Sequence, residues 1–176
     1  MINAKQNEIL IGGSTSINLY VLSNALKKFI STGDEVIVTN QDHEANISPW
    51  RRLAEIGAKV IEWKINTKNG ELEINDLEKL INKKTKILAV THCSNIVGSV
   101  NDLKRISDIA HKHNIFVIGD GVSFAPHGFP NVKELGVDSE IQFTVISMEP
   151  PAQRPKGVMV DSVAELVRAL RDRGLV

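Results

Sequence analysis

The sequence predicts a three-layer αβα sandwich, an α/β fold built on a mostly parallel sheet. Short apolar runs alternate along the chain with segments whose apolar residues recur at helical spacing, a pattern typical of strands connected by helices. The run 115–118, followed by Gly119 and Asp120, is continuously apolar, as strands buried on both faces are. At 176 residues, the chain is long enough for a single domain with a sizeable core.

The first half of the chain alternates between strand and helix signals. Three apolar runs bounded by turn residues predict strands: residues 8–11, 35–38 and 59–63. The apolar residues of segment 16–30 fit one face of a helix. A second helix is predicted to begin with Ser48 as N-cap and Pro49 in its first position, and to end at Gly57.

The second half continues the same alternation. Strands are predicted over residues 86–91, 115–120 and 142–147. Helices are expected after two capping residues, Asn75 and Asn101, and a last helix over 162–173 begins with a capping box of Ser162 and Glu165. We expect the last strand and helix to pack on the sheet as its final β–α unit.

Composition excludes several classes of function. The 21 basic and 21 acidic residues balance, so there is no basic surface for nucleic acid or an anionic membrane. A single cysteine, Cys93, excludes a disulfide framework and a cysteine metal cluster. No apolar run is long enough to span a bilayer, and the first seven residues lack the apolar core of a signal peptide. We therefore expect a cytoplasmic protein.

Polar groups come directly after the predicted strands, at the edge where parallel sheets bind ligands. Asp120 ends the central strand, although an Asp-Gly pair is also a common turn. The Gly-Gly-Ser-Thr-Ser loop at 12–16 would present the free N–H groups of a helix start, and the hydroxyls of Ser14 and Thr15, to a phosphate. Simple helix capping explains the same loop.

His43 and Asn95 come after two other strands. The ring of His43 is suited to stacking on a flat ligand, although a lone loop histidine is more often simply solvated, and its acidic neighbours lack the spacing of a metal site. The amide of Asn95 both donates and accepts hydrogen bonds, to a ligand or to its own backbone. Together, a phosphate loop, a flat ring, an amide and a carboxylate suit an anionic, planar, nitrogen-containing heterocycle.

Four stretches carry a resemblance to a known family. They are Gly-Asp-Glu-Val-Ile-Val (33–38), Asp-His-Glu-Ala-Asn-Ile-Ser-Pro-Trp (42–50), Thr-His-Cys-Ser-Asn-Ile-Val-Gly (91–98) and Gly-Asp-Gly-Val-Ser-Phe-Ala-Pro-His (119–127). In their order and spacing, residues 8 to about 137 resemble the large domain of pyridoxal-phosphate enzymes of the class V aminotransferase and cysteine desulfurase group.

This resemblance implies a pyridoxal phosphate cradle and a role for each matching residue, from the phosphate to the ring nitrogen. Ser14 and Thr15 hold the phosphate, His43 stacks on the pyridine ring, Asn95 and Ser123 bond the phenolic oxygen, and Asp120 pairs with the ring nitrogen. Ser123 stands where many relatives carry glutamine or histidine. We call these six residues the cradle.

The chain also departs from the family. The region that matches the Schiff-base lysine, residues 143–151, reads Phe-Thr-Val-Ile-Ser-Met-Glu-Pro-Pro, and Lys133 and Lys156 are the only lysines after Asp120. The family's N-terminal segment and its smaller C-terminal domain, which carries the substrate-carboxylate arginine, have no counterpart in the sequence. We therefore expect pyridoxal phosphate to bind weakly and without a covalent bond, and we assign no catalytic residue.

Composition changes near residue 138. Fourteen asparagines precede this point and none comes after it, and three of the six prolines lie at 150, 151 and 155. We favour a junction between segments of different origin over a surface tail of biased composition. Residues 138–176 resemble the tail of an electron-transfer flavoprotein small subunit, and both a natural gene remnant and an engineered chimera fit.

These features support three hypotheses of function. The first is a pyridoxal-phosphate enzyme segment that keeps its cofactor residues, lacks the lysine and is inactive. The second is a chimeric α/β fold without catalytic function, and the third, supported by the tail alone, is a flavoprotein-like nucleotide-binding module. The expected partner is a small-molecule cofactor. We expect no binding to nucleic acid, membrane or metal, and we keep a homodimer as an alternative to a monomer.

Overall fold

A computed structural model describes residues 2–141 and 162–172. The first range forms a five-stranded sheet with every strand parallel to its neighbours, in the order β2-β1-β3-β4-β5. The strands are β1 (Glu35–Thr39), β2 (Lys59–Trp63), β3 (Thr85–Thr91), β4 (Phe116–Asp120) and β5 (Ser139–Ile141).

Helices lie between and beside these strands in the same range. They are α1 (Thr15–Leu26), α2 (Glu44–Arg51), α3 (Ile74–Leu80), α4 (Leu103–His111) and α5 (Val132–Leu135). Short 3₁₀ turns occupy Gln6–Glu8, Lys27–Phe29, Arg52–Ile56 and Ala125–His127. Within the described residues, no helix combines the length and the apolar character needed to cross a membrane.

Each face of the sheet packs against its own layer of helices. Side chains alternate along a strand, so Val36 and Val38 face one side and Ile37 faces the other. The first side is covered by α1 and α2 through Leu19 and Trp50. The second side is covered mainly by α3 and α4, and its buried helix residues are Leu77, Leu103, Ile106 and Ala110. The predicted three-layer αβα sandwich is therefore confirmed.

The carboxyl ends of the strands meet at one edge of the sheet. Thr39 lies opposite Trp63, and Thr91 lies opposite Asp120. The chain leaves β1 toward β2 on one side and resumes the sheet with β3 on the other. The reversal of strand order lies between β1 and β3, and such a switch point is where open α/β sheets bind their ligands.

The strand predicted over residues 8–11 is wrong. The chain forms a 3₁₀ turn at Gln6–Glu8, and Ile9, Leu10 and Ile11 then run outside any strand with 49, 74 and 81% of their surfaces exposed. Three consecutive apolar residues do not make a strand unless their backbone groups find a partner, and neither edge of the described sheet pairs with them.

The extent and buried face of the first helix also differ from the prediction over residues 16–30. The α-helix ends at Leu26 and continues only as a 3₁₀ turn. Leu19 is fully buried, whereas Ile17, Val21 and Phe29 are largely exposed. An apolar pattern at helical spacing identifies a helix, but the side that is buried depends on what packs against it.

Three predicted helix starts are wrong as well. The helix expected to begin at Ser48 begins at Glu44, with His43 as N-cap and Pro49 inside it. Asn75 lies within α3 rather than before it. Asp102 caps α4, with its Oδ1 accepting a hydrogen bond from the backbone N of Arg105 at 3.0 Å, because the amide of Asn101 is used elsewhere.

The tail contains the predicted helix, α6 (Val163–Asp172). Its capping serine is confirmed, since Ser162 Oγ accepts a hydrogen bond from the backbone N of Glu165 at 3.2 Å. The strand predicted over 142–147 lies outside the described residues. The packing of this strand and helix on the sheet therefore stays a prediction.

Candidate functional site

Asp120 is a buried carboxyl group at the carboxyl edge of the sheet. Its residue is 4% exposed, and Oδ1 accepts a hydrogen bond from the backbone N of Val122 at 2.9 Å. Burial raises the pKa of Asp120, and the Val122 bond and the charge of His43 oppose that rise. The structure thus places a carboxyl group where a positive ligand atom would relieve the cost of burying its charge.

Asp42 is a second buried carboxyl group at the same edge, 5% exposed. Its Oδ1 accepts from the backbone N of His43 at 2.7 Å, and its Oδ2 accepts from Asn46 Nδ2 at 2.5 Å. Burial, followed by the charge of Asp120, raises the pKa of Asp42 to about 7. The sequence pattern identifies Asp42 only as a poor metal ligand; its place between a strand end and a helix N-cap was the available signal.

His43 is held by the helix that it caps. Its Nδ1 accepts a hydrogen bond from the backbone N of Ala45 at 3.1 Å, while the residue itself stays exposed. A ring nitrogen that accepts carries no proton, so this contact assigns the ring proton of the neutral tautomer to Nε2. His43 acts electrostatically on Asp120. The charge of Asp120 in turn raises the pKa of Asp42, which links these three side chains electrostatically.

The loop after β3 carries Asn95 at its exposed tip. Three buried polar side chains hold the base of this loop against the sheet, and we call them the latch: Gln41, Ser94 and Asn101. Ser94 Oγ donates to the backbone O of Gln41 at 2.7 Å. Asn101 Nδ2 donates at 2.8 Å both to Gln41 Oε1 and to the backbone O of Thr91. The latch bridges β1 and β3 at the switch point.

Sequence reasoning missed the latch. The sequence pattern indicates a helix cap at Asn101 and assigns no role to Gln41. A polar residue directly after an apolar strand gives no sign of whether it faces solvent or a neighbouring loop. The only available signal was that Gln41 and Ser94 each come after a strand that ends at the same edge.

Ser123 lies in the turn after β4. The backbone N of Ala125 donates to Gly121 O at 2.8 Å, which closes this turn, and Ser123 is half-buried within it. The next residue, Phe124, stacks on the ring of His92 with centroids 3.8 Å apart and planes 14° apart. This stack joins the loop after β4 to the loop after β3. Burial lowers the pKa of His92, so its ring is neutral at pH 7.

Ser14 and Thr15 lie at the start of α1. Ser14 is the N-cap, and its Oγ accepts from the backbone N of Ile17 at 3.2 Å, which leaves the hydroxyl proton available to donate. A Cβ at Gly12 would lie 1.7 Å from Asn18 Oδ1, so the chain before the helix approaches α1 closely. Both explanations of this loop, capping and phosphate binding, are compatible with that geometry.

The residues of the cradle therefore fall into three groups. The charge of His43 lowers the pKa of Asp120, which joins these two residues. Asn95 and Ser123 lie on loops joined by the His92–Phe124 stack, and Ser14 and Thr15 begin a helix on the same side of the sheet as α2. A buried carboxyl group beside an imidazole is able to bind a cationic ring nitrogen. This donor set fits pyridoxal phosphate.

Comparison with known proteins identifies the family. A family model described as "Aminotransferase class-V" matches residues 1–147. The chain belongs to this family. The match continues past residue 138, where composition changes, and includes β5. It gives no support to a flavoprotein origin for the tail.

Several aminotransferase and cysteine desulfurase relatives match this class-V aminotransferase segment. It is 43% identical over 140 residues to an "Aminotransferase-like protein FGM3" from Gibberella zeae and 38% identical over 140 residues to a "Probable cysteine desulfurase" from Halalkalibacterium halodurans, covering 78% of this chain and 34% of each relative. Its fold matches a cysteine desulfurase from Thermococcus onnurineus with TM-score 0.73 and 32% identity, covering 78% of this chain and 34% of that one. The chain thus spans about a third of the length of these relatives.

Proposed function

We propose that this class-V aminotransferase segment binds pyridoxal phosphate non-covalently at the cradle and does not catalyse a reaction through it. Family members use this cofactor. The observation that carries the proposal is the buried carboxyl group of Asp120 at the carboxyl end of β4, within electrostatic reach of His43. An uncompensated buried carboxylate is costly, and a protonated ring nitrogen is the partner that offsets that cost.

The other cradle residues would orient the ligand. His43 presents a ring whose tautomer is fixed by Ala45, suited to stacking on a heterocycle. Asn95 and Ser123 supply hydrogen-bonding groups for a phenolic oxygen. Ser14 retains a hydroxyl proton for a phosphate oxygen, beside the unpaired N–H groups of α1. When bound, the cofactor supplies an electron sink in its protonated ring.

The proposed lack of catalysis rests on the absence of a lysine at the position where the family's cofactor-binding lysine is expected. Reactions of this family need a lysine that bonds the cofactor covalently. The matching region, residues 143–151, contains none. Lys133 is exposed in α5, and Lys156 lies outside the described residues. Neither stands in the sequence context of the family's lysine.

The composition change near residue 138 keeps a second candidate open. A chimeric α/β fold without catalytic function would show the same sheet, with the cradle residues inherited but unused. A flavoprotein-like nucleotide-binding module is the third candidate, and its support is limited to the sequence of the tail. Both predict that pyridoxal phosphate finds no specific site.

A spectroscopic titration separates these candidates. Pyridoxal phosphate added to the purified chain should give a saturable absorbance change that is lost in His43→Ala, with pyridoxal lacking the phosphate as a control for the role of Ser14. Borohydride reduction followed by peptide mapping should not label one lysine specifically. A linear, unsaturable change that is identical in His43→Ala would refute the binding site. Stoichiometric labelling of Lys133 or Lys156 together with turnover would refute the lack of catalysis.

A further inference from the structure

The two buried carboxyl groups suggest a role for a residue outside the cradle. We propose that Asp42 is a positioning residue coupled to Asp120, so that positive charge placed at Asp120 drives a proton from Asp42 into solvent. The inference rests on the proposed function, because the ring nitrogen of the bound cofactor would supply that charge. No bond is formed or broken other than that of the released proton.

A chain of side-chain hydrogen bonds fixes the orientation of Asp42. Trp50 Nε1, which is only a donor, points at Asn46 Oδ1 at 3.2 Å. The oxygen of the Asn46 amide is thereby assigned to Trp50, and its Nδ2 must face Asp42 Oδ2, at 2.5 Å. Asn46 and Trp50 are fully buried, so solvent does not compete for these bonds.

Both carboxyl oxygens of Asp42 therefore accept hydrogen bonds. Oδ2 accepts from Asn46, and Oδ1 accepts from the backbone N of His43 at 2.7 Å. These bonds suit the ionised carboxylate. Ionised Asp42 also tightens the N-terminus of α2, whose N-cap, His43, carries the ring that would stack on the ligand. A protonated Asp42 must weaken one of these bonds or place its proton away from both donors.

The negative charge of Asp120, at the carboxyl edge of the sheet two strands away from β1, opposes the ionisation of Asp42. Asp120, from β4, is the charged group that acts on Asp42 after burial itself. The charged residues of α2, Glu44 and Arg51, are exposed and pair with each other at 3.5 Å, and α1 contains no charged residue. His92 is neutral because burial lowers its pKa, and His43 acts on Asp120.

Among the described residues no lysine or arginine is buried, so two buried carboxylates cannot both stay ionised without a large cost in free energy. Without a ligand, Asp42 is therefore the carboxyl group that holds the proton. A ring cation bound to Asp120 cancels that repulsion, and Asp42 ionises and accepts its two hydrogen bonds fully. Binding and the orientation of His43 are thus linked through a single proton.

Carboxyl titration by ¹³C NMR tests the coupling without any ligand. Asp120→Asn removes the negative charge and should move the midpoint of the Asp42 titration to lower pH by about one pH unit. Asp108→Asn, at an exposed aspartate on α4, is the matched control and should leave the Asp42 midpoint in place. An unchanged Asp42 midpoint in Asp120→Asn would overturn the inference.

Calorimetry with pyridoxal phosphate tests the linkage to binding. Titrations at pH 7 in two buffers of different ionisation enthalpy count the protons released. Wild type should release about half a proton more per bound ligand than Asp42→Asn, because Asp42 is about half protonated at that pH. Proton changes of the ligand itself occur in both proteins and cancel.

The two measurements separate the inference from the proposed function. Equal proton release from wild type and Asp42→Asn would overturn the coupling to the ligand, and Asp42→Glu should restore part of the difference. Absence of any pyridoxal phosphate binding would refute the proposed function. The shift of the Asp42 midpoint in Asp120→Asn would then still establish the coupled pair.

Discussion

Asp120 is the residue on which binding of a ring cation would depend most. Asp120→Asn keeps the shape of the side chain but removes the charge, so pyridoxal phosphate should bind about 10- to 150-fold more weakly, a loss of about 1.5–3 kcal/mol. Fold stability should change much less, because the substitution also removes the cost of a buried charge. Equal dissociation constants for wild type and variant in the absorbance titration would leave Asp120 with only a turn-forming role.

Asp42 should make the stability of the fold depend on pH. Its pKa in the folded chain, about 7, lies above its value in the unfolded chain, so the unfolded state releases its proton first. The stabilising contribution of the protonated form is complete below about pH 4 and is lost as the pH rises through 7. We expect the free energy of unfolding to fall by an amount on the order of 2–4 kcal/mol from this residue between pH 4 and 8.

Urea unfolding at pH 5 and pH 8 measures this dependence. Asp42→Asn should lower stability at both values, since its amide meets the donor of Asn46, but the difference between the two pH values should be smaller than in wild type. Asp108→Asn serves as the control with an unaltered difference. The same pH difference in wild type and Asp42→Asn would show that Asp42 does not titrate in this range.

Sequence patterns find functional residues at strand ends and miss those whose role depends on tertiary contacts. Asp120 and His43 were identifiable because each comes after an apolar run that predicts a strand. The importance of Asp42 depends on Asn46 and Trp50, whose burial against β1 and β3 appears only in the folded chain. Asp120, which acts on it, is 78 residues away in the sequence, and no local sequence pattern indicates that these two residues interact.

The latch gives the loop after β3 its stability. Asn101→Ala removes both bonds of the Asn101 amide and leaves the backbone O of Thr91 and Oε1 of Gln41 without that donor. A buried acceptor left unpaired costs about 1–3 kcal/mol, and we expect chemical denaturation to show a loss of that size. Asn95→Ala, at the exposed tip of the same loop, is the matched control and should stay within about 0.5 kcal/mol of wild type. Equal stability of the two variants would mean that the latch does not hold the loop.

The same contacts explain which element boundaries the sequence predicts. Strands β1 to β4 are predictable to within one residue or two because continuous apolar runs are a direct consequence of burial on both faces. Helix starts are less predictable, because several residues near each start are able to cap it. The amide of Asn101 bonds to Gln41, which follows β1, and to Thr91 of β3, so Asp102 caps α4 instead, and tertiary contacts decide between the two residues.

The complete sheet depends on a short strand at one edge. β5 contributes three residues, and its Ser139 and Ile141 lie opposite Ile118 and Asp120 of β4. Asp138, just before β5, accepts from the backbone N of Val117 at 2.7 Å and pairs with His111 at 2.9 Å. Residue 138 is therefore part of the sheet's own hydrogen bonding, and the change in composition begins within the sheet.

Truncation tests how far the fold depends on the residues after Asp138. A chain of residues 1–138 lacks β5 and leaves the edge of the buried strand β4 that faces away from β3 without its strand partner, so it should aggregate or lose cooperative thermal unfolding. A chain of residues 1–141 keeps β5, and comparing the two separates the contribution of this strand from that of residues 142–176. The packing of α6 on the sheet is also a prediction, and a helix of ten residues stabilises a fold only through the burial of its apolar face. If α6 packs in this way, the 1–141 chain should melt at a lower temperature than the full chain. A 1–138 chain that stays in solution and melts as sharply as the full protein would show that β5 and everything after it are an appendage to a sheet that is already complete.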